Sequence, residues 1–231
     1  KTDTSAAVFQ RLELKVGLAR ENSHETYLGL TDSDFERTPY RRYAASQLGD
    51  MSWKRTQFKL HYMALIGEDL EWSITGYRHD FQRAWKKLNG FGTLSGVDIH
   101  DAVLDPTNPR YRPFVDLLKG TSEWTPEESE RLRIGTNDRT YVSQGVQTKL
   151  EVTNRFGAFR NTLEFGLRAH QDEIKREHTE AEYDVISGTT VRATQEDFTR
   201  RNTGEAIAFS GYIFDEISWK EHVIVTPGLR V

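Results

Sequence analysis

Seven histidines and no cysteine limit the chemistry this sequence can attempt before any fold is assigned. The missing cysteines remove disulfides, thiolate metal sites and thiol nucleophiles together. The histidines supply no metal site instead: no His-Glu-x-x-His occurs, and His170 and His178 fall in a strand end and a loop without convergent partners. No Gly-x-Ser-x-Gly marks a seryl nucleophile, and Gly90-Phe91-Gly92 leads into no phosphate-binding helix pattern. The expectation is therefore a protein that is not an enzyme and needs no cofactor. What remains is charge. The 31 Lys and Arg and 35 Asp and Glu give a net −4, mixed in sign, without the basic block or stripe that nucleic acid requires. Arginine is the type among them best suited to carboxylates, because its planar fork donates two parallel hydrogen bonds.

The elements that would position such residues read as strands. Alternating segments run near Leu12 to Leu18, Thr56 to Tyr62, Leu70 to Ile74, Val146 to Val152, Leu163 to Ala169, Ile207 to Ile213 and Val223 to Leu229. In the first, Leu12, Leu14, Val16 and Leu18 alternate with Arg11, Glu13, Lys15 and Gly17, giving one oily and one charged face. The segments at Thr56, Val146 and Leu163 share that grammar. The third switches phase over Tyr77 to Phe81, which predicts a bulge near Gly76. In the sixth, either Ala206, Ala208, Ser210 and Tyr212 or Ile207, Phe209, Gly211 and Ile213 could form the oily face.

Three connections are tight, Leu65 to Asp69, Asn154 to Phe159 and Asp215 to His222. The other three, Glu21 to Ser52, Lys86 to Arg139 and Glu173 to Thr203, far exceed the usual handful of residues. An up-and-down sheet with its long loops at one end is the layout of an outer-membrane β-barrel. The alternative is a soluble antiparallel sheet with one wet face, which produces the same alternation. Long charged side chains on the polar face suit a wet lumen, and only short helices inside the long gaps are available to cover the oily face. A mean hydropathy of −0.67 does not oppose the barrel, since alternating strands of about 9–11 residues keep the average low. No run of roughly 18 apolar residues marks a transmembrane helix, and no signal peptide is visible behind Lys1.

Pro39, Pro106, Pro109, Pro113 and Pro126 fall in the long gaps, and Pro227 alone lies inside a strand. Thr125-Pro126-Glu127-Glu128 has the form of a capped helix start. Ser95 with Asp98 predicts a short helix through Leu104, and Pro113 to Lys119 another, closed by Gly120. Helix-bearing loops at one rim are expected either to frame a ligand vestibule or to decorate the outer surface.

The stretch His24-Glu25-Thr26-Tyr27-Leu28-Gly29-Leu30-Thr31-Asp32-Ser33-Asp34-Phe35, with Pro39-Tyr40-Arg41-Arg42-Tyr43-Ala44-Ala45-Ser46-Gln47-Leu48, resembles the barrel region of TonB-dependent outer-membrane receptors, in particular the ferric-citrate-like group. Tyr77-Arg78-His79-Asp80-Phe81, Trp85-Lys87-Leu88-Asn89 and the closing Thr226-Pro227-Gly228-Leu229-Arg230 are similar to later strands of that family. The resemblance implies an all-β, antiparallel, up-and-down transmembrane β-barrel of 22 strands, occluded by an N-terminal plug, in the outer membrane of a Gram-negative bacterium. It would import a ferric siderophore or ferric citrate with energy passed through the TonB complex. About seven strands and no plug sequence make residues 1–231 an internal part of such a barrel, with short turns periplasmic and long loops extracellular. An open edge cannot sit unpaired in lipid.

A ferric chelate of this kind is anionic and holds its own iron, so the receptor needs converging cations and no metal ligand. By that resemblance the candidates are Arg41 and Arg42 in the first long loop, Arg78 and His79 near the outer end of the third strand, and Arg83, Lys86 and Lys87 beyond it. Each has a plain alternative: contact with outer-membrane lipid and lipopolysaccharide, a solvated rim, or pairing with Asp80, Asp32 or Asp34. The competing functions are a passive porin or outer-membrane enzyme on a similar barrel, and a soluble β-rich binding module.

Overall fold

The computed structural model describes residues 8–92, 95–122, 130–220 and 222–231. The strands are β1 Val8–Ser23, β2 Asp50–Ile66, β3 Leu70–Phe91, β4 Leu132–Phe156, β5 Phe159–Ile186, β6 Thr189–Arg192, β7 Asp197–Trp219, β8 Val223–Val225 and β9 Gly228–Arg230. They form one antiparallel sheet in the order β1-β2-β3-β4-β5-β7-β8, with β6 also on β5 and β9 also on β7. The helices are α1 Asp32–Arg37, α2 Ile99–Leu104 and α3 Arg112–Lys119.

The fold is all-β and up-and-down, and six of the seven alternating segments each lie within a strand, while the last, Val223 to Leu229, is divided between β8 and β9. The strands, however, run far past the alternation. β4 has 25 residues and β5 28, so at about 3.3 Å per residue this hairpin spans roughly 80–90 Å. The expected loop at Glu173 to Thr203 is corrected accordingly: β5 continues to Ile186, turns through Ser187 and Gly188 into β6, and β7 begins at Asp197. Over Glu173 to Glu180 both faces are largely polar, so the two-residue period that betrays a strand fades there while backbone pairing continues. The true long connections are residues 24–49 and 92–131.

Cross-strand register assigns the faces. Leu14 lies opposite Leu60, and Leu60 opposite Gly76; Gly76 faces Val146, Val146 faces Ala169, and Ala169 faces Phe209. The sixth segment therefore shows Ile207, Phe209, Gly211 and Ile213 on the oily face and Ala206, Ala208, Ser210 and Tyr212 on the polar one. That oily face is bare over Leu12 to Leu18, with Leu18 80% and Phe209 79% exposed.

No bulge occurs at Gly76, where pairing with β2 and β4 is uninterrupted. The phase switch is one of composition. Above Gly76 the strand leaves the oily band, so Arg78 and Asp80 occupy the face that Trp72 and Ile74 hold below, and Tyr77 and Phe81 occupy the polar face. The register shift of β3 falls instead between Leu88 and Gly90. It puts Leu88 and Phe91, three residues apart, on one face. At the end of the chain β8 and β9 keep one register against β7, broken only at Thr226-Pro227, since Pro227 has no amide to give the ladder.

A compact core forms where the connections fold onto the far ends of β3, β4 and β5. Phe114, Val115, Leu117 and Leu118 of α3, Ala102 of α2, and Tyr43 and Ala45 pack on Leu88, Phe91, Leu132, Ile134, Ala181, Tyr183 and Val185. Phe91 and Phe114 meet at 4.8 Å between ring centroids. By strand alternation this core shares the face of Leu60 and Val146, so the helices sit against the outer end of the oily face. α3 has Pro113 in its first turn and Gly120, at φ +74°, closing it, as its sequence predicts. α2 begins at Asp98, whose carboxylate accepts the His100 amide at 2.7 Å; Ser95 lies outside it. The helix start at Thr125 lies outside the described residues. Sequence periodicity missed α1, which Thr31 caps.

Candidate anion-binding site

The polar face above the oily band carries the densest cationic row of the sheet. Arg83 on β3 is opposite Arg139 on β4, which is opposite Arg176 on β5. One step outward, Trp85, Asn137, His178 and Arg200 form the next row across β3, β4, β5 and β7. Neighbouring strands lie about 4.8 Å apart, so the guanidinium groups are held side by side by backbone pairing alone.

Among the described residues neither Arg83, Arg139, Arg176 nor Arg200 makes an ion pair. The acids around the row are engaged elsewhere: Glu21 accepts from Trp53 at 3.1 Å, and Glu180 accepts from Asn89 at 2.8 Å and pairs with Arg133 at 3.4 Å. Arg139 Nε donates to His178 Nε2 at 3.3 Å. Burial holds the His178 imidazole below its ordinary range, and the charges of Arg139, Arg200, Arg176 and Arg83 push it further down. Among the described residues the buried donors Arg83 Nε and Trp85 Nε1 have no hydrogen-bond partner. Buried donors are normally satisfied, so an acceptor that reached either one would relieve a cost. The arrangement can hold an oxyanion through several guanidinium forks, without metal and without a nucleophile.

The residues picked from sequence divide between faces. Arg83 lies in the row. His79 is on the same face, opposite Gln57 and Ser143, with its ring 6.0 Å from that of Tyr77. Lys87 is also there, its ammonium 3.7 Å over the Tyr27 ring and 4.9 Å over that of Trp85, and burial lowers its pKa. It borders a cavity of about 550 Å³ with Asn89, Asp98 and His100. Arg78 is on the opposite face, forked onto Asp80 at 2.8 and 3.0 Å and donating to Gln144 at 3.1 Å. Lys86 lies on that face too, 5.7 Å from the Tyr183 ring. Arg41 and Arg42 are in the helical cap: Arg41 pairs with Asp34 at 3.1 Å, and Arg42 donates to the carbonyls of Glu25 and Ser46.

Arg139, Arg176, Arg200 and His178 fall where the sequence predicts long gaps or a loop. The signal was present: stepping back by twos from Lys149 places Arg139 on the polar face. His178 is thus in β5, not a loop, and neither histidine lacks partners. His170 joins Tyr77 at 2.6 Å and Asp172 at 2.8 Å. Among the described residues no three His, Cys, Asp or Glu gather as a metal site.

No family model matches the chain, and no curated protein sequence matches it. Among solved structures it is similar to the crystal structure of the ferric citrate transporter FecA in the unliganded form, with a TM-score of 0.61 and 15% identity. The match covers 96% of this chain and 26% of that one. Likeness at this identity shows the fold alone, that of a β-barrel segment, and the chain spans about a quarter of that structure's length.

Proposed function

We propose that this chain is part of an outer-membrane, TonB-dependent transporter that takes up an anionic ferric chelate, a siderophore or ferric citrate. The observation that carries this is the unpaired row Arg83, Arg139 and Arg176, held on the polar face beyond the oily band. In a closed barrel that face lines the lumen, and the bare face of Leu12, Leu60, Leu167 and Phe209 meets lipid. The short turns at Gly67, Gly157 and Trp219 then lie on the periplasmic side, and the helical cap with the arginine row on the extracellular side, where ligand arrives. Residues 1–231 supply one sector of the barrel. The chelator holds the iron, and the protein's part is to bind and orient its carboxylates or other oxyanions. In this reading Arg78 and Asp80, just above the oily band on the other face, meet lipopolysaccharide headgroups.

The test is ferric-chelate binding by the complete barrel in detergent. Arg83→Gln with Arg139→Gln lowers affinity at least about tenfold, as expected for charge-assisted hydrogen bonds of about 1.5–3 kcal/mol each, while Arg78→Gln leaves it unchanged. Equal loss from Arg78→Gln, or none from the paired variant, sinks the assignment.

A further inference from the structure

Directly below the arginine row, on the same face, lies a row of rings. Arg55, Phe81 and Tyr141 are cross-strand neighbours on β2, β3 and β4, and Trp53 stands beside them, opposite Arg83. The Trp53 and Phe81 centroids are 6.0 Å apart and those of Phe81 and Tyr141 5.8 Å, both tilted. All three rings are half-buried, held by their strands, and no described helix packs on them. Two residues along a strand is about 7 Å, so an arene lying on Phe81 and Tyr141 presents its oxygens to Arg83 and Arg139.

We propose that the site selects oxyanions that carry an aromatic ring, free or as an iron chelate, over aliphatic carboxylates. This rests on the anion-binding reading above and narrows it. A purely aliphatic anion uses the guanidinium forks and leaves the ring row in water. A hydroxyaryl or aryl carboxylate uses both, because offset or edge-to-face ring contacts add to the charge-assisted bonds. Trp53 is fixed for this by donating to Glu21 at 3.1 Å, which holds its ring beside Phe81. The preference differs from anything the name of the ferric citrate transporter suggests, and it comes from the rings alone.

The experiment compares two tricarboxylates of equal charge on the complete barrel, trimellitate with its benzene ring and tricarballylate without one, by isothermal titration. Trimellitate is expected to bind about tenfold tighter, the gain of one good ring contact. Phe81→Leu should abolish the difference by weakening trimellitate alone, and Phe81→Tyr should keep it, which separates lost stacking from failed assembly. Equal affinities in the native barrel overturn the proposal and leave the anion site standing. If neither compound binds, the anion reading falls and this inference falls with it.

Discussion

Tyr77 on β3 reaches across β4 to hydrogen-bond His170 on β5, with its phenolic oxygen 2.6 Å from Nδ1. The strand between them carries Gly145 at this level, opposite both Tyr77 and His170. Arg168 donates to the same phenolic oxygen through Nε at 3.1 Å and Nη2 at 2.8 Å. With the acceptor side of that oxygen occupied, its proton goes to Nδ1, and Nε2–H remains for Asp172 at 2.8 Å. A polar chain thus ties three strands together on the face away from the oily band.

Gly145→Ala should break this chain. A Cβ there would stand 2.6 Å from both the Tyr77 oxygen and the Ala169 carbonyl, so the ring must leave. The expected cost is about 1–3 kcal/mol, read as a lower unfolding midpoint of the assembled barrel. Tyr77→Phe keeps the ring over Gly145 and loses only the hydroxyl, with an expected cost of about 1–2 kcal/mol. A larger loss in Tyr77→Phe than in Gly145→Ala would contradict the packing argument.

Asp34 should latch the cap, because it joins the connection before β2 to α3. It accepts from Lys119 at 2.9 Å, Arg41 at 3.1 Å and the Tyr43 hydroxyl at 2.7 Å, with its side chain 5% exposed. The Lys119 hydrogen bond, then that of Tyr43, lowers its pKa to about 2. A carboxylate held at about 2 against 3.8 when unfolded contributes about 2 kcal/mol. Because the folded value is the lower one, that contribution is complete above about pH 4 and is lost as pH falls toward 2. Amide exchange in α1 and α3 should accelerate over that window, and Asp34→Asn should flatten the response.

Leu118 of α3 is fully buried in the same core. Leu118→Ala should cost about 2–5 kcal/mol through the cavity it leaves. Since the core lies beyond the oily band, the loss should appear as protease cleavage in residues 92–122 while the barrel remains assembled. Loss of assembly instead would show that cap and sheet fold as one unit.

His178 should couple anion binding to protons. Burial and the charges of Arg139, Arg200, Arg176 and Arg83 hold the imidazole below its ordinary 6.5. A bound anion offsets those charges and raises it. Binding therefore takes up a proton, and affinity should strengthen as pH falls from about 6.5, read by titration in buffers of different ionisation enthalpy. His178→Gln should remove the proton uptake and leave affinity independent of pH there.

Alternation at Leu12 to Leu18, Val146 to Val152 and Leu163 to Ala169 determined by itself that the chain is an antiparallel sheet with one oily and one charged face, because a half-apolar strand admits no other period. The tight turns at Gly67 and Gly157, and α3 through Pro113 and Gly120, were legible too, because these residues constrain their own backbone, whereas the turn at Ser187 and Gly188 was not. The arginine row was beyond the reach of sequence alone. Arg83, Arg139 and Arg176 are 56 and 37 residues apart in the numbering, and only the register of β3 on β4 and β4 on β5 makes them neighbours. The same holds for Ile207 against Ala208, whose faces depend on which residue of β5 each one meets. Around Arg83, Arg139 and Arg176, between the oily band and the capped core, both faces are largely polar, so the strands continue there with little sequence period to announce them, and pairing between strands places the site.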